Sequence, residues 1–518
     1  VFKFRRFKFT NQVCYAEKVY TPFRKKRIHL ALGLIPLLLL CLAVFIGAWQ
    51  IPAVRQFFGQ ASGENANIFV DTKAVLGPMR RPWRNLAQGG EGFSWRLRPL
   101  IPQVKELHPE YIRLDHIYDF YDIVKGTPGN ITFDFTKFDK VIDDILAVGA
   151  KPYIALSYMP PAISSGDILA TPVRWSDWQL VVQKTVEHVS GTKHISDVYY
   201  EVWNEPDLFG GWKYYGNKNY LTLYNYAAQG ASAARGVQPF KIGGPAITAL
   251  YKEWFSALMK NTIATGVRMD FFSWHRYNLN LDQFKTDMFN AKSWLAEFPQ
   301  LEPSMELHIT EWGHDSNNNG GYDTNYGAAH TVAGAIEMVN VVDRAFAFEI
   351  QDGKDPKGQK YWGRWGLFTD ETSGATAKPR YAALRMLDRI STQRLQTLGK
   401  GTWVKALAAL TPTGSTQVVL ANFDSHSGHA EVVPITFQNI DPGEYTVKKE
   451  FLGGQFQVDT VATTEATLRV QVPMTPNSVS FIELTQTTSA SIPTPSPVMI
   501  SVPDVQQAND QPLTPPGQ

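Results

Sequence analysis

Short runs of β-branched and aromatic residues alternate with amphipathic stretches over most of this 518-residue chain. The runs are Tyr111–Asp115, Lys151–Ser157, Val198–Trp203, Lys241–Gly243, Phe271–His275, Glu306–Thr310 and Ala345–Ile350, and one near Trp83–Gly90 starts the series. Between them lie segments of helical period. Residues 136–150, for example, place Phe138, Val141, Ile142, Ile145 and Leu146 on one face. Eight strand–helix units predict an α/β fold of the closed kind, a (β/α)8 TIM barrel over residues 67–395. A doubly wound open sheet is the alternative, but no Gly-rich phosphate loop opens the first helix. From residue 396 the texture changes to alternating strands with turn residues, which predicts an antiparallel β-sandwich over 396–487. Residues 488–518 are rich in Pro, Ser, Thr and Gln and are expected to be a disordered tail.

Ahead of the barrel, Leu30 to Trp49 carries no charge. Residues 28–51 are long enough to span a bilayer as one transmembrane helix. The basic stretch "FRKKRIH" precedes it, and Arg55 is the only cation nearby after it. The positive-inside rule then leaves residues 1–27 as a cytoplasmic tail and places the rest, after a linker at 52–66, outside the cytoplasm. No small-x-small cleavage site follows the apolar run, so a retained membrane anchor is expected rather than a cleaved signal peptide. A net charge of +2 gives no reason to expect nucleic acid as a partner. The two cysteines, Cys14 and Cys41, both lie in or before the apolar segment, so the globular part has neither disulfide nor thiolate-metal site. The 14 tryptophans fit a large aromatic core or sugar-stacking surfaces equally.

In a (β/α)8 barrel the reacting residues sit at the C-terminal strand ends. The second strand ends "RLDHIYD", the fourth "WNEPD", the sixth "WHRYN" and the seventh "ITEWGHD". Pro206 cannot extend a ladder, so it stops the fourth strand and leaves Glu205 at the lip of the sheet. Glu311 ends the seventh strand, across the mouth. Two opposed carboxylates are what glycoside hydrolysis requires, one to protonate the departing oxygen and one to attack the anomeric carbon or activate water. His275 and Tyr277, on the neighbouring sixth strand, are candidates to hold Glu311 ionised. Asn204 is a candidate for the sugar 2-hydroxyl. Arg113 and His116 are read as binding substrate or bracing Glu205, with an Arg113–Asp115 ion pair as the structural alternative. Trp312, Trp362 and Trp365 are candidate sugar platforms, or packing. His308, His314, Asp315 and His330 match no ligand spacing, so neither metal nor other cofactor is expected. Glu349, Gln351 and Asp352 at the eighth strand end are read as selecting an amino sugar or as solvated.

These motifs, in order, resemble glycoside hydrolase family 39 of clan A, which includes β-xylosidases and α-L-iduronidases. "VWNEPDL" resembles its acid/base motif and "LHITEWG" its nucleophile motif. "KPYIALSYMPPAI", "KIGGPA", "YIRLDHIYD" and "SWHRY" resemble its third, fifth, second and sixth strand signatures. The similarity covers roughly residues 80 to 480. It implies Glu205 as general acid/base, Glu311 as nucleophile, and a retaining mechanism. The expected function is thus an exported, membrane-anchored glycosidase acting on oligo- or polysaccharides. A catalytically silent glycan-binding or wall-organising protein, and a transglycosylase, are the alternatives.

Overall fold

The computed structural model describes residues 63–89, 92, 95–354 and 364–489. The chain divides into two compact units, residues 1–64 and Asn65–Gln518, and the architecture described is that of the second. The expected tail 1–27, anchor 28–51, most of the linker, Trp362 and residues 490–518 lie outside the described residues. Among the described residues, no helix is long and apolar enough to cross a membrane.

The first strand, β1 (Ile68–Pro78), is followed by β2 (Asn85–Gln88), β3 (Tyr111–Leu114) and a hairpin of β4 (Val124–Thr127) and β5 (Asn130–Phe133). Then come β6 (Lys151–Leu156), β7 (Val198–Val202), β8 (Phe240–Ile247), β9 (Phe271–Tyr277), β10 (Glu306–Gly313) and β11 (Arg344–Phe348). Strands β2, β3 and β6 to β11 pair in sequence, all parallel, and β11 closes on β2, which makes the eight-stranded barrel. Helices cover its outside. Its strands are buried on both faces, as β7 shows with all five residues buried, because helices pack without and side chains fill within. The filling is aromatic: Tyr153, Tyr199, Phe271, His308 and Phe346 form a ring cluster inside the barrel. This plug supports the polar layer above it.

The second sheet has nine strands, β1 with β12 (Gln393–Leu398), β13 (Val404–Leu410), β14 (Thr416–Asn422), β15 (Glu431–Gln438), β16 (Gly443–Phe451), β17 (Phe456–Thr463), β18 (Thr467–Met474) and β19 (Ser478–Ser489). It curls over its own core, which unites Ile68, Val70, Val418, Ile435, Val470 and Ile482 from both ends of the strand order. That is the expected sandwich, with two corrections. Residues 67–80 do not belong to the barrel, since β1 lies between β12 and β15 in this sheet. The physical reason is its alternation: Ile68 and Val70 are buried while their neighbours are half-exposed, a one-sided pattern that suits a sandwich rather than a barrel strand. The sheet is also mixed, because β1 runs parallel to β15. On its other face Leu407, Ala409, Val419 and Ala421 join the core of the barrel domain. Helix Asn325–Met338 lies between, with nearly every residue buried.

Candidate active site

Arg113, the third residue of β3, is fully buried at the C-terminal end of the barrel. Its Nε donates to Glu201 Oε2 at 2.7 Å, Nη1 to Glu311 Oε1 at 2.9 Å, and Nη2 to Asn204 Oδ1 at 2.7 Å. Burial acts to lower the guanidinium pKa, but the carboxylates of Glu201 and Glu311 hold it well above its ordinary value. The cation is therefore permanent. Neither Glu205 nor Asp115 is among these hydrogen-bond partners, so both expectations for Arg113 are corrected: it braces Glu311 and Asn204.

Glu311 is reached from the other side by Tyr277, whose hydroxyl donates to Oε2 at 2.8 Å. Burial and the charge of Glu311 push the Tyr277 pKa up, so the phenol stays protonated and a donor. Gly313, two residues on, leaves room for this ring, since a Cβ there would stand 3.2 Å from Tyr277 and closer still to the Tyr322 hydroxyl. Both oxygens of Glu311 are thus held. Burial raises its pKa above the ordinary carboxylate value, His275 and Arg113 oppose that, and Glu205 adds to it.

Glu205 follows β7 in a left-handed backbone conformation, φ +45°, and Trp203 two residues earlier has φ +75°. Such backbone costs on the order of 1–3 kcal/mol per residue and persists only where its surroundings enforce it. Here the Glu205 N–H donates to Ala246 O at the end of β8 at 2.9 Å, and its carbonyl accepts from the N–H groups of Leu208 and Phe209. The carboxylate is aimed at His275, whose Nδ1 lies 2.9 Å from Glu205 Oε1 and 3.4 Å from Glu311 Oε2. Burial acts against the charged imidazole, but Glu311 and Glu205 outweigh it and raise the His275 pKa. Ligand atoms of Glu205, His275 and Glu311 all lie within 4.8 Å of one another. A divalent ion would have to displace hydrogen bonds from each of them, and Arg113 already supplies the positive charge that an ion would bring. The Glu205 side chain is the more open of the two carboxylates, 14% exposed against 8%.

Two members of the site were not foreseen. Glu201 is fully buried in β7, four residues before Glu205, and its signal was a lone carboxylate in the apolar run "VYYEV". Tyr158, after β6, accepts from Asn204 Nδ2 at 3.1 Å and turns the Asn204 amide. Nothing in its local sequence separates it from a core tyrosine.

Residues 68–402, more than half of the chain, match the family described as Glycosyl hydrolases family 39. The chain belongs to that family. The chain is 28% identical over 319 residues to a β-xylosidase of Caldicellulosiruptor saccharolyticus, covering 56% of this chain and 64% of that protein. It is 24% identical over 363 residues to a β-xylosidase of Geobacillus stearothermophilus, covering 62% and 69%. The fold matches a monomeric β-xylosidase from Caulobacter crescentus, with a TM-score of 0.68 at 21% identity, over 82% of this chain and all of that one. It also matches a family 39 enzyme from Xanthomonas axonopodis, with a TM-score of 0.67 at 18% identity, over 83% and 99%.

Not every candidate read from the sequence lies in the assembled cluster. Trp312 points out of the barrel, fully buried against Phe284 and His330, and is no sugar platform. The reason is strand alternation: Glu311 faces in, so its neighbour faces out. His116 pairs through Nδ1 with Asp119 and stacks on Phe120, rather than bracing Glu205. Trp365 stands at the rim, half-buried, with its ring edge-on to Phe348 and its Nε1 donating to Asp315 O. Glu349, Gln351 and Asp352 are buried, not solvated. Gln88 Nε2 donates to Glu349 Oε2, and Lys378 pairs with Asp352 at 2.6 Å.

Proposed function

We propose that this chain is a retaining glycoside hydrolase acting on neutral, β-xyloside-like oligo- or polysaccharides, with Glu311 as nucleophile and Glu205 as general acid/base. One observation carries the reading: two opposed carboxylates, with ligand atoms within 4.8 Å, one clamped through both oxygens by Arg113 and Tyr277 and the other more open. Retaining enzymes place their carboxyl groups about 5–5.5 Å apart and inverting ones about 6.5–9.5 Å. In the first step a Glu311 oxygen bonds the anomeric carbon as the glycosidic bond breaks, and Glu205 gives its proton to the departing oxygen. In the second, Glu205 takes a proton from water, whose oxygen bonds the anomeric carbon and releases Glu311. Arg113 offsets the negative charge of Glu311 in a buried site, and His275 bonds Glu205. Asn204, held by Arg113 and Tyr158, is the residue this reading assigns to the sugar 2-hydroxyl.

A panel of aryl glycosides tests the reading. Wild type is expected to release the phenol from at least one sugar with retained anomeric configuration, and E311Q to release none. Inverted product, or turnover by E311Q, would sink it.

The localisation proposed with this activity is a single-pass membrane protein, N-terminus in the cytoplasm and catalytic domain outside. It rests on the uncharged run from Leu30 to Trp49 and its basic flank. Extraction of the full chain by alkaline carbonate, or a mature N-terminus between residues 48 and 65, would count against it.

A further inference from the structure

Tyr277 also borders a second space. A cavity of about 710 Å³ lies over the ends of β9 and β10, lined among others by Tyr277, Asn278, Asp315, Asn319, Tyr326 and Ser425. That size falls within the range of about 300–1,000 Å³ typical of small-ligand sites. Tyr277 belongs to both places, because its hydroxyl holds Glu311 and the residue also lines the cavity.

Ser425 comes from the sandwich, and its placement is fixed. The Asp424 carboxylate accepts from the backbone N–H groups of His426, Gly428 and His429. The Asp424 N–H donates to Asn477 Oδ1, and Asn477 Nδ2 donates to Ser427 Oγ. Phe423, at the root of this turn, packs edge-on against Tyr326 with ring centroids 5.2 Å apart. The turn Asp424–His429 is therefore a rigid wall attached to the barrel rather than a loose loop.

The lining has a definite chemistry. Amide, hydroxyl and carboxylate groups stand beside the half-buried ring of Tyr326 and the exposed side chain of Leu279. Polar groups next to an aromatic face suit a pyranose, which has hydroxyl edges and C–H faces. Among the described residues, no lysine or arginine lines the cavity, and the carboxylate that does is Asp315. An anionic sugar would meet repulsion there without a compensating cation.

We propose that this cavity is an accessory subsite for one neutral sugar unit of an oligosaccharide, adjacent to the unit whose bond is cleaved, with the sandwich supplying its outer wall. The subsite deepens the functional reading above and rests on it. It gives the second domain a part in substrate recognition.

The test fills the cavity from its exposed edge with S425W and removes the platform with Y326A. The readout is the ratio of kcat/KM for xylotriose to that for an aryl β-xyloside. Each variant is expected to lower this ratio about tenfold, the equivalent of about 1.4 kcal/mol of lost binding. An unchanged ratio in both variants would overturn the proposal. A parallel titration of xylotriose into E311Q, with and without S425W, separates the subsite from the reaction. Weaker binding with S425W supports the subsite even if wild type proves inactive on xylosides, and equal binding refutes it. Wild-type inactivity across the aryl glycoside panel would count against the functional reading alone.

Discussion

Arg113 Nη1 lies 2.9 Å from Glu311 Oε1, and the same guanidinium spends its other two edges on Glu201 and Asn204. One planar cation thereby fixes the Glu311 carboxylate, the Asn204 amide and the buried carboxylate of Glu201. Lysine has no fork and can satisfy one of the three at a time. R113K is expected to fold but to lose about 10²-fold in kcat, the scale of a misplacement of about 1 Å. Steady-state kinetics on an aryl glycoside, beside a thermal melt, check this. Activity within threefold of wild type would show that the clamp is dispensable.

Glu311→Ala is expected to abolish turnover, because no glycosyl-enzyme can form. Glu205→Ala should lose about 10²–10⁴-fold on poor leaving groups and much less on a phenolate that departs unprotonated. Azide should restore the Glu205 variant and yield a glycosyl azide of retained configuration. Rescue of the Glu311 variant with inverted product would exchange the two roles.

Stability should depend on pH through two buried histidines beside the site. Burial depresses the His330 pKa to about 3 and that of His314 to about 4. Each stays neutral in the native state while its unfolded counterpart gains a proton below about 6.5. The unfolded state therefore binds more protons, and stability is lost as pH falls from about 6.5 towards 4. Each histidine contributes a slope of roughly 1.4 kcal/mol per pH unit there. H330Q should be less stable at neutral pH, yet its slope should be smaller by that amount in denaturant melts. His275 acts in the opposite sense. Its pKa is raised, so its contribution is fully present below about 6.5 and lost as pH rises through the folded value.

Strand β1 links the sandwich in a way that truncation can expose. It pairs with β12 on one side and β15 on the other, so removing it leaves two unpaired edges. A chain beginning at Asn65 should fold, and one beginning at Arg80 should be insoluble. Gly399 closes the same junction at φ +78°, where a Cβ would stand 1.7 Å from Asn67 O. G399A should cost more than about 1 kcal/mol, read as a fall in melting temperature. An active, soluble protein starting at Arg80 would place β1 outside the fold's essential core.

The barrel and its two carboxylates were legible in the sequence because they rest on local signals. Hydrophobic period gave the strand–helix alternation, and Pro206 marked where the fourth strand must stop. Both glutamates stand where predicted strands end, so Glu205 and Glu311 were placed at the barrel mouth before any coordinates. What depended on non-local pairing was not legible. The partner of Arg113 is set by which strands meet across the barrel, and Glu201 and Glu311 are 88 and 198 residues away in sequence. The Trp365 partners, Phe348 and Asp315, are likewise brought to it by the tertiary fold. The partners of β1 in the sandwich, β12 and β15, lie more than 300 positions downstream. Sequence determines which faces are apolar and where elements end. Only the closed sheet decides which polar groups, once buried, must find one another, because an unpaired buried charge costs more than any local propensity can return.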